Sequence, residues 1–300
     1  MSTAYTQVDS NVRRTWFLMF GFFIVVILLG WAFSWIFNNQ IILIVAVVIS
    51  IVMNIVSYWY SDKIVLRMTG AKEVSREQYR ELWNITENLC IATGLPMPKL
   101  YIIQDPSPNA FATGRNPDNS VVAVTSGLLK ILDKNELEGA IAHELAHIKN
   151  RDILLMTTVV VLVGFITLLS DFFLRMTIFG GMGGNNRDGR VQLIMILVGI
   201  ALSILAPIVA MVIKMAISRK REFLADASGA LMTRYPEGLA SALEKISNSG
   251  QPAKKANHAM AHMYIENPFK EKGGKVGFMD RLFMTHPPVE ERIKILREKT

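Results

Sequence analysis

Four long stretches of the chain are almost entirely apolar, and polar segments separate them. The stretches cover residues 15–37, 41–60, 154–179 and 191–217. A helix needs about 20 mostly apolar residues to cross the hydrocarbon core of a bilayer, and each stretch is long enough. The pattern therefore predicts an α-helical integral membrane protein with four transmembrane helices in two hairpins. The chain then divides into segments 1–60, 61–153, 154–217 and 218–300.

Lysine and arginine residues are concentrated at one end of the predicted spans. The residues at this end are Arg13, Arg14, Lys63, Arg67, Lys72, Lys149, Arg151, Arg219, Lys220 and Arg221. The loops at the opposite end, 38–40 and 180–190, contain only Arg187 and Arg190. Because basic residues accumulate on the cytoplasmic side of a membrane, we expect both termini and both polar segments to be cytoplasmic. The first span is too long for a signal peptide and lacks a convincing cleavage site, so we expect it to be retained.

The composition also indicates a membrane protein. Hydrophobic residues make up 51% of the 300 residues and charged residues 19%, whereas about a quarter of the residues of soluble proteins are charged. The net charge of +7 comes mostly from residues that flank the spans and not from one basic stripe. We therefore expect a lipid bilayer, and no nucleic acid, as partner. The single cysteine, Cys90, excludes an intramolecular disulfide.

The polar segments carry the patterns of a mainly helical α+β domain. A capping-box pattern at Ser75 predicts a helix to about residue 91, and Gly94 ends it. Asp133 and Glu136 form a second capping box that opens another helix. Short β-like runs, typical of a small β-sheet, lie at 99–104, 109–113 and 120–125. Further helices are predicted at 236–248, 253–266 and 287–298.

The helix that begins near Asp133 contains candidate metal ligands and a candidate catalytic base. Its apolar stripe recurs at helical spacing, at Leu137, Ile141, Leu145 and Ile148. His143 and His147 lie one turn apart on one face, so both imidazoles can reach a single zinc ion at roughly 2.0–2.1 Å. Glu144 lies on a neighbouring strip, where it can take the proton of a metal-bound water that attacks a carbonyl. The alternative is an ordinary amphipathic helix with two exposed histidines.

A catalytic zinc ion needs a third protein ligand. The continuation H-x-x-G-x-x-H is absent, because Asn150 and Ile153 occupy the next positions. The hairpin 154–217 returns the following residues to the same membrane face, where Glu222 can be the third ligand. Asp226, one turn further on, can accept a hydrogen bond from a ligating histidine. The alternative for both acidic residues is a solvated, charged helix start.

Other candidate ligands are weaker. His258 and His262 also have a spacing of four, but no glutamate follows the first and no carboxylate converges on them. We interpret them as surface or packing residues. Asp152 lies so close to the end of the histidine helix that we do not expect it to fold back.

The chain resembles the HtpX-type bacterial heat-shock membrane metalloproteases, relatives of the CAAX prenyl endopeptidase, over essentially its whole length. The resemblance rests on four motifs: H143-E-L-A-H147, E222-F-L-A-D226, N109-A-F-A112 and H286-P-P288. It implies a zincin-type (gluzincin) domain and a zinc endopeptidase of the bacterial inner membrane. Such an enzyme acts on misfolded or damaged membrane proteins at the cytoplasmic face, as part of a stress response.

The resemblance also implies roles for single residues. One Zn²⁺ per chain is bound by His143, His147 and Glu222, with Glu144 as the base and Asp226 supporting a ligand. Asn109, Ala110, Phe111 and Ala112 form an edge strand to which an extended substrate adds through backbone hydrogen bonds. A strand or turn that only packs is equally compatible with these residues. His286 stabilises the oxyanion, or only takes part in a turn, and Arg292 is a weaker candidate for supporting the site.

Two other classes of function are compatible with parts of the sequence. A non-enzymatic membrane scaffold could contain a structural zinc, but such a site normally has four protein ligands. A transporter would have ionisable residues within its spans. Asp171 and Arg175 lie within the third span, and their spacing of four favours a structural ion pair. Transport is therefore the weakest of the three hypotheses.

Overall fold

The computed structural model describes residues 4–36, 38–180, 219–249, 251, 265 and 287–298. The helices of this part are α1 (Ala4–Ile36), α2 (Gln40–Trp59), α3 (Ser61–Thr69), α4 (Arg80–Thr93), α5 (Ser126–Ile131), α6 (Lys134–Lys149), α7 (Asp152–Gly180), α8 (Arg219–Thr233), α9 (Pro236–Asn248) and α10 (Val289–Glu298). The strands are β1 (Lys72–Glu73), β2 (Lys99–Ile103), β3 (Ala110–Asn116) and β4 (Asn119–Thr125).

Helices α1 and α2 form the predicted N-terminal hairpin. The stretches Val8–Trp35 and Gln40–Trp59 are each long and apolar enough to cross a membrane. Many of their large apolar side chains have no protein cover, such as Phe17 at 70% exposure and Trp35 at 79%. Exposed apolar surface of this extent is unusual for a soluble protein and is typical of a lipid-facing surface. The hairpin thus supports a membrane location.

The third predicted span, 154–179, lies within α7. The first turns of this helix are buried by protein: Ile153, Leu155 and Val160 are fully covered, and α7 packs against α3 and β3. This part of α7 therefore belongs to the core of the polar domain. The side chains of Asp171 and Arg175, and the fourth predicted span at 191–217, lie outside the described residues.

The three predicted β runs form strands of one mixed sheet with the order β1-β2-β4-β3. Strands β2 and β4 are parallel, whereas β3 and β4 form an antiparallel hairpin. Side chains of a strand alternate between the two faces. In β4, Val122 and Val124 point towards α4 and α6, while Val121 and Ala123 point towards α3 and α7. The sheet therefore lies between two helical layers, and α6 is the central helix of one of them.

The helix starts agree with the sequence patterns except at Ser75. The capping box of α6 is complete, because Asp133 Oδ1 accepts the N–H of Glu136 at 3.0 Å and Glu136 Oε2 accepts the N–H of Asp133 at 2.8 Å. Helix α4 instead begins at Arg80, since the side chains of Ser75 and Gln78 bond within a turn before it. The predicted helices at 236–248 and 287–298 correspond to α9 and α10. The one at 253–266 lies outside the described residues, except for Ile265.

Candidate active site

Helix α6 brings the three residues of the zinc motif into the interior. His143, Glu144 and His147 are 2%, 4% and 4% exposed. The predicted apolar stripe is buried as well, so α6 is covered on all sides. Neighbouring helices approach it closely: a Cβ added at Gly229 of α8 would lie 3.0 Å from the backbone N of His143. The absence of a side chain at Gly229 lets α8 lie this near the histidines without a tight contact.

Helix α8 places Glu222 opposite both histidines. The Nε2 atoms of His143 and His147 are 3.2 Å apart. Glu222 Oε2 lies 3.7 Å from His143 Nε2, and Oε1 lies 3.7 Å from His147 Nε2. Residues almost eighty positions apart in the chain are thus brought together.

Residues of α8 and α10 surround the Nδ1 side of His143. Its Nδ1 lies 2.9 Å from Asp226 Oδ1. Arg292, which is fully buried, donates to both oxygens of the same carboxylate, from Nε at 2.8 Å and from Nη2 at 2.7 Å. Burial alone would raise the pKa of Asp226, but Arg292 outweighs burial and holds the pKa at about 2. The Asp226 carboxylate therefore stays charged beside the imidazole.

His147 is held by Asp152, and our expectation about Asp152 was wrong. Its Oδ2 lies 3.1 Å from His147 Nδ1. The chain reverses at Arg151, which has a φ of +55°, so that the first residue of α7 folds back against the end of α6. A left-handed residue is unusual outside glycine, and the sequence carries no signal for it here. Asp152 contacts the far nitrogen of the imidazole, so it supports a candidate ligand and is not one.

Glu144 lies beside the candidate ligands without belonging to their set. Its buried carboxylate accepts a hydrogen bond from the backbone N–H of Ala112 in β3. Burial raises the pKa of Glu144 to about 7, although the charge of His147 and the N–H of Ala112 act in the opposite direction. A buried carboxyl with a pKa near neutrality is suited to taking up and releasing a proton.

The two histidines differ in charge. Burial lowers the pKa of His143, and the Asp226 carboxylate close to its Nδ1 opposes this only in part. Burial also lowers the pKa of His147, but Asp152 and the charge of Glu222 outweigh it, so that the pKa rises to about 9. Without metal, His147 is therefore protonated at neutral pH and can donate from Nε2 to His143.

The residues Asn109–Ala112 lie at the edge of the sheet formed by the described strands. Their backbone is buried: Ala110, Phe111 and Ala112 are at most 3% exposed. Asn109 Oδ1 accepts the backbone N–H of Ile265 at 2.9 Å, and the carbonyl of Ile265 accepts a bond from Arg292 Nη1 at 3.4 Å. Among the described strands, β3 is the last in the order of the sheet. The residues His286, His258 and His262 lie outside the described residues.

The donor set fits a divalent metal ion. The ligand atoms of His143, His147 and Glu222 lie within 4.8 Å of one another. In a tetrahedral zinc site, bonds of about 2.0–2.1 Å put ligand atoms roughly 3.3–3.4 Å apart, close to the three separations given above. Each Nδ1 lies within about 3 Å of a carboxylate oxygen, which leaves the Nε2 atom of each neutral imidazole available for a metal ion. His143, His147 and Glu222 could thus hold a metal ion.

The chain matches peptidase family M48 over residues 76–300. It belongs to this family. A "Protease HtpX homolog" of Caldanaerobacter subterraneus subsp. tengcongensis is 47% identical to it, over 99% of this chain and 98% of that protein. One of Dictyoglomus turgidum is 46% identical, over 98% and 94%. The M48 membership establishes a metalloprotease and does not favour a scaffold with a structural zinc.

The fold of this M48 peptidase is similar to the crystal structure of S. mikatae Ste24p. The TM-score is 0.52 at 17% sequence identity, and the match covers 91% of this chain and 62% of that chain. The two proteins therefore share a fold, while the chain spans less than two thirds of Ste24p. The resemblance to HtpX-type proteases is confirmed.

The largest difference between sequence and site concerns Arg292. The sequence suggested only a weak supporting role, yet this side chain is fully buried and binds the Asp226 carboxylate with two hydrogen bonds. An arginine in an amphipathic C-terminal helix usually faces solvent. Its position six residues after His286 in the H-P-P motif was the available signal. Asp152 was not expected to fold back towards the histidines. The only sequence feature that could have indicated its contact is its closeness to His147 in the chain.

Proposed function

We propose that this M48 peptidase is a zinc endopeptidase that cleaves misfolded or damaged membrane proteins at the cytoplasmic face of the bacterial inner membrane. The observation that carries the proposal is the convergence of His143, His147 and Glu222 beside the buried Glu144. Three protein ligands and an adjacent carboxylate are typical of catalytic zinc sites.

Each residue has a defined task in this proposal. When bound, zinc polarises the substrate carbonyl and lowers the pKa of a water molecule. Glu144 takes a proton from that water and returns it to the leaving amine. Asp226 and Asp152 keep the Nδ1–H of their histidines in place, so that both Nε2 atoms remain acceptors. His286 donates to the developing oxyanion, as the resemblance implies.

The contacts of Ile265 support peptide binding along Asn109–Ala112. Asn109 binds the backbone N–H of Ile265, while Arg292 binds its carbonyl. Together the two side chains recognise the polar atoms of a single apolar residue. A substrate residue bound in the same way would replace Ile265, and its chain would run along the edge of β3.

The membrane part of the proposal rests on the apolar hairpin and on the distribution of basic residues. Four spans with both termini in the cytoplasm put residues 61–153 and 218–300 on one side of the bilayer. Tagging of residues 38–40 and 180–190 for access by a membrane-impermeant reagent tests this arrangement. Labelling of these loops from the cytoplasmic side would contradict it.

The decisive experiment compares wild-type protein with Glu144→Gln in detergent. The variant should keep one zinc ion per chain by mass spectrometry of the metal and lose casein cleavage by about 10²–10⁴-fold. Glu138→Gln, on the same helix but outside the site, is the matched control and should retain both properties. Cleavage by Glu144→Gln at the wild-type rate would refute the assignment of the base. Unchanged zinc content after Glu222→Ala would move the third ligand elsewhere.

A further inference from the structure

The N-terminal part of α1 contacts Asp152, which lies beside the candidate ligand His147. Asn11 lies in the third turn of this helix and is 2% exposed. Its Nδ2 donates to the carbonyl oxygen of Asn150 at 3.0 Å and to Asp152 Oδ1. Its Oδ1 accepts from Arg221 Nη1 at 3.3 Å. One amide of the first predicted membrane helix thus bonds to three polar groups near the site.

These partners connect Asn11 to both segments that carry candidate ligands. Asn150 caps the end of α6, just after His147, and Arg221 directly precedes Glu222 in α8. The two oxygens of Asp152 are shared: Oδ1 binds Asn11, and Oδ2 lies 3.1 Å from His147 Nδ1. Fixing one oxygen of a carboxylate also fixes the direction of the other.

The surroundings make this contact energetically important. Asp152 and Arg221 are 1% and 4% exposed, and Arg221 Nε lies 3.9 Å from Asp152 Oδ1. A buried polar group that loses its hydrogen bond has no water to replace the partner, so the loss disfavours the arrangement that buries the group. Without the Asn11 amide, Asp152 would gain by rotating towards Arg221 and away from His147.

We propose that Asn11 is a positioning residue for the metal site. It holds the Asp152 carboxylate in the orientation that His147 needs, and it joins the end of α6 to the start of α8. The inference rests on the proposed metal site and not on the peptidase reaction. It makes the first membrane helix part of the apparatus that retains the metal ion.

The test uses the full chain in detergent and measures the affinity for zinc by competition with a chromophoric chelator. Asn11→Leu keeps the side-chain volume and removes all three hydrogen bonds, and Asn11→Ala is the second variant. Loss of contacts behind a metal ligand typically weakens metal binding by about 10–100-fold. Thr15→Val is the matched control, because the buried Thr15 hydroxyl donates only to the Asn11 carbonyl of its own helix. It should bind zinc like the wild type.

A double-mutant cycle tests whether Asn11 acts through Asp152. In an Asp152→Ala background, Asn11→Leu should weaken zinc binding by no more than about 3-fold, because coupled residues are non-additive. The spectrum of the cobalt-substituted protein should change for Asn11→Leu and not for Thr15→Val. Equal zinc affinity of Asn11→Leu and wild type would overturn the inference, as would full additivity with Asp152→Ala.

Failure of this inference and failure of the proposed function are distinguishable. If the wild-type protein binds no zinc, the proposed function fails. If the wild type and Thr15→Val bind zinc and Asn11→Leu binds it equally well, only the role of Asn11 is refuted. If Asn11→Leu does not fold in detergent, the zinc affinity of Asn11→Ala is judged by the same criteria. If neither Asn11 variant folds while Thr15→Val does, a role limited to positioning is contradicted.

Discussion

The two histidines of α6 lie one turn apart, but different regions of the molecule hold them. Behind His143 stand Asp226 and Arg292, from α8 and α10 of the polar domain. Behind His147 stand Asp152, at the start of α7, and Asn11, on the first predicted membrane helix. One candidate ligand is thus supported from within the protease domain and the other from α1 and α7, the helices that contain the first and third predicted spans.

The two supports also differ in charge. The Asp226 carboxylate is neutralised by an arginine that binds both of its oxygens. Asp152 Oδ1 instead accepts a hydrogen bond from the neutral amide of Asn11, and it lies 3.9 Å from Arg221 Nε. A charged bidentate pair is stronger and more rigid than a single hydrogen bond. We therefore expect the support of His143 to contribute mainly to stability and that of His147 mainly to metal retention.

The largest effect is expected for Arg292→Ala. It leaves the buried Asp226 carboxylate without its counter-charge, which typically destabilises a protein by about 3–5 kcal/mol. Chemical unfolding in mild detergent, followed by fluorescence, measures the loss. Arg297→Ala on the same helix is the matched control, because its pairs with Glu237 and Glu244 are exposed. Equal losses for both variants would show that the buried pair contributes no more than a surface contact.

The next effect concerns zinc affinity after removal of each carboxylate charge. Asp226→Asn and Asp152→Asn should both weaken zinc binding by about 10–100-fold. The loss of zinc affinity should be at least as large for Asp152→Asn, whereas Asp226→Asn should also lower the stability, because it removes the charge that Arg292 binds. Competition with a chelator gives both constants. An undiminished affinity in Asp152→Asn would mean that His147 needs no partner from α7.

A smaller effect is expected at the crossing of α6 and α8. In Gly229→Ala the new methyl group must push against the backbone of His143, which we expect to cost about 1–3 kcal/mol and to lower zinc affinity. Gly164→Ala in α7 is the control, because nothing lies within 4 Å of its added Cβ. Thermal unfolding of the two zinc-loaded variants makes the comparison. Equal stability would mean that α8 can move away without consequence.

The smallest expected effect is a pH dependence that separates the two histidines. In chelated protein the pKa of His147 is raised from about 6.5 to about 9, so its stabilising contribution is complete below pH 6.5 and is lost as pH rises through 9. The raised pKa of Glu144 acts in the same direction between about pH 4.5 and 7. His143, with its lowered pKa, contributes no such loss.

Unfolding by denaturant in the presence of a chelator, at pH 6 to 9, measures this slope. His147→Gln should flatten it, and His143→Gln should not. Added zinc should offset the loss of stability with rising pH, because metal binding requires unprotonated histidines and strengthens with pH. A stability of the chelated wild type that rises with pH would contradict the assignment of the charge to His147.

Of the residues behind His143, the position of Asp226 was predictable from the sequence, while the burial of Arg292 and the support of His147 were not. Asp226 follows Glu222 by one turn of helix, so its position follows from helical spacing. The role of Asp152 depends on the left-handed turn at Arg151, and a non-glycine residue gives no sign of such a turn. Asn11 meets Asp152 only because α1 docks beside α7, a long-range contact that no local pattern encodes.

Some features of the fold were likewise predictable from the sequence, and others were not. The strand positions follow from punctuation by proline and glycine, and the helix starts from capping residues. The parallel pairing of β2 with β4 places β3 at the edge, and this order depends on how the sheet packs between its two helical layers. The burial of Arg292 likewise depends on the docking of α10. The sequence indicated that residue only through its distance from the H-P-P motif.

The burial of the first turns of α7 has a consequence for how this enzyme can be divided. Val160 and Phe111 share one apolar cluster, and Thr157 bonds to Thr113 of β3 at 3.0 Å. The helix that contains the third predicted span is therefore, in its first turns, also one wall of the domain. A fragment cut away from its membrane part would lose that wall and expose the underside of the sheet, so a water-soluble version needs a redesigned surface there and not merely a shorter chain.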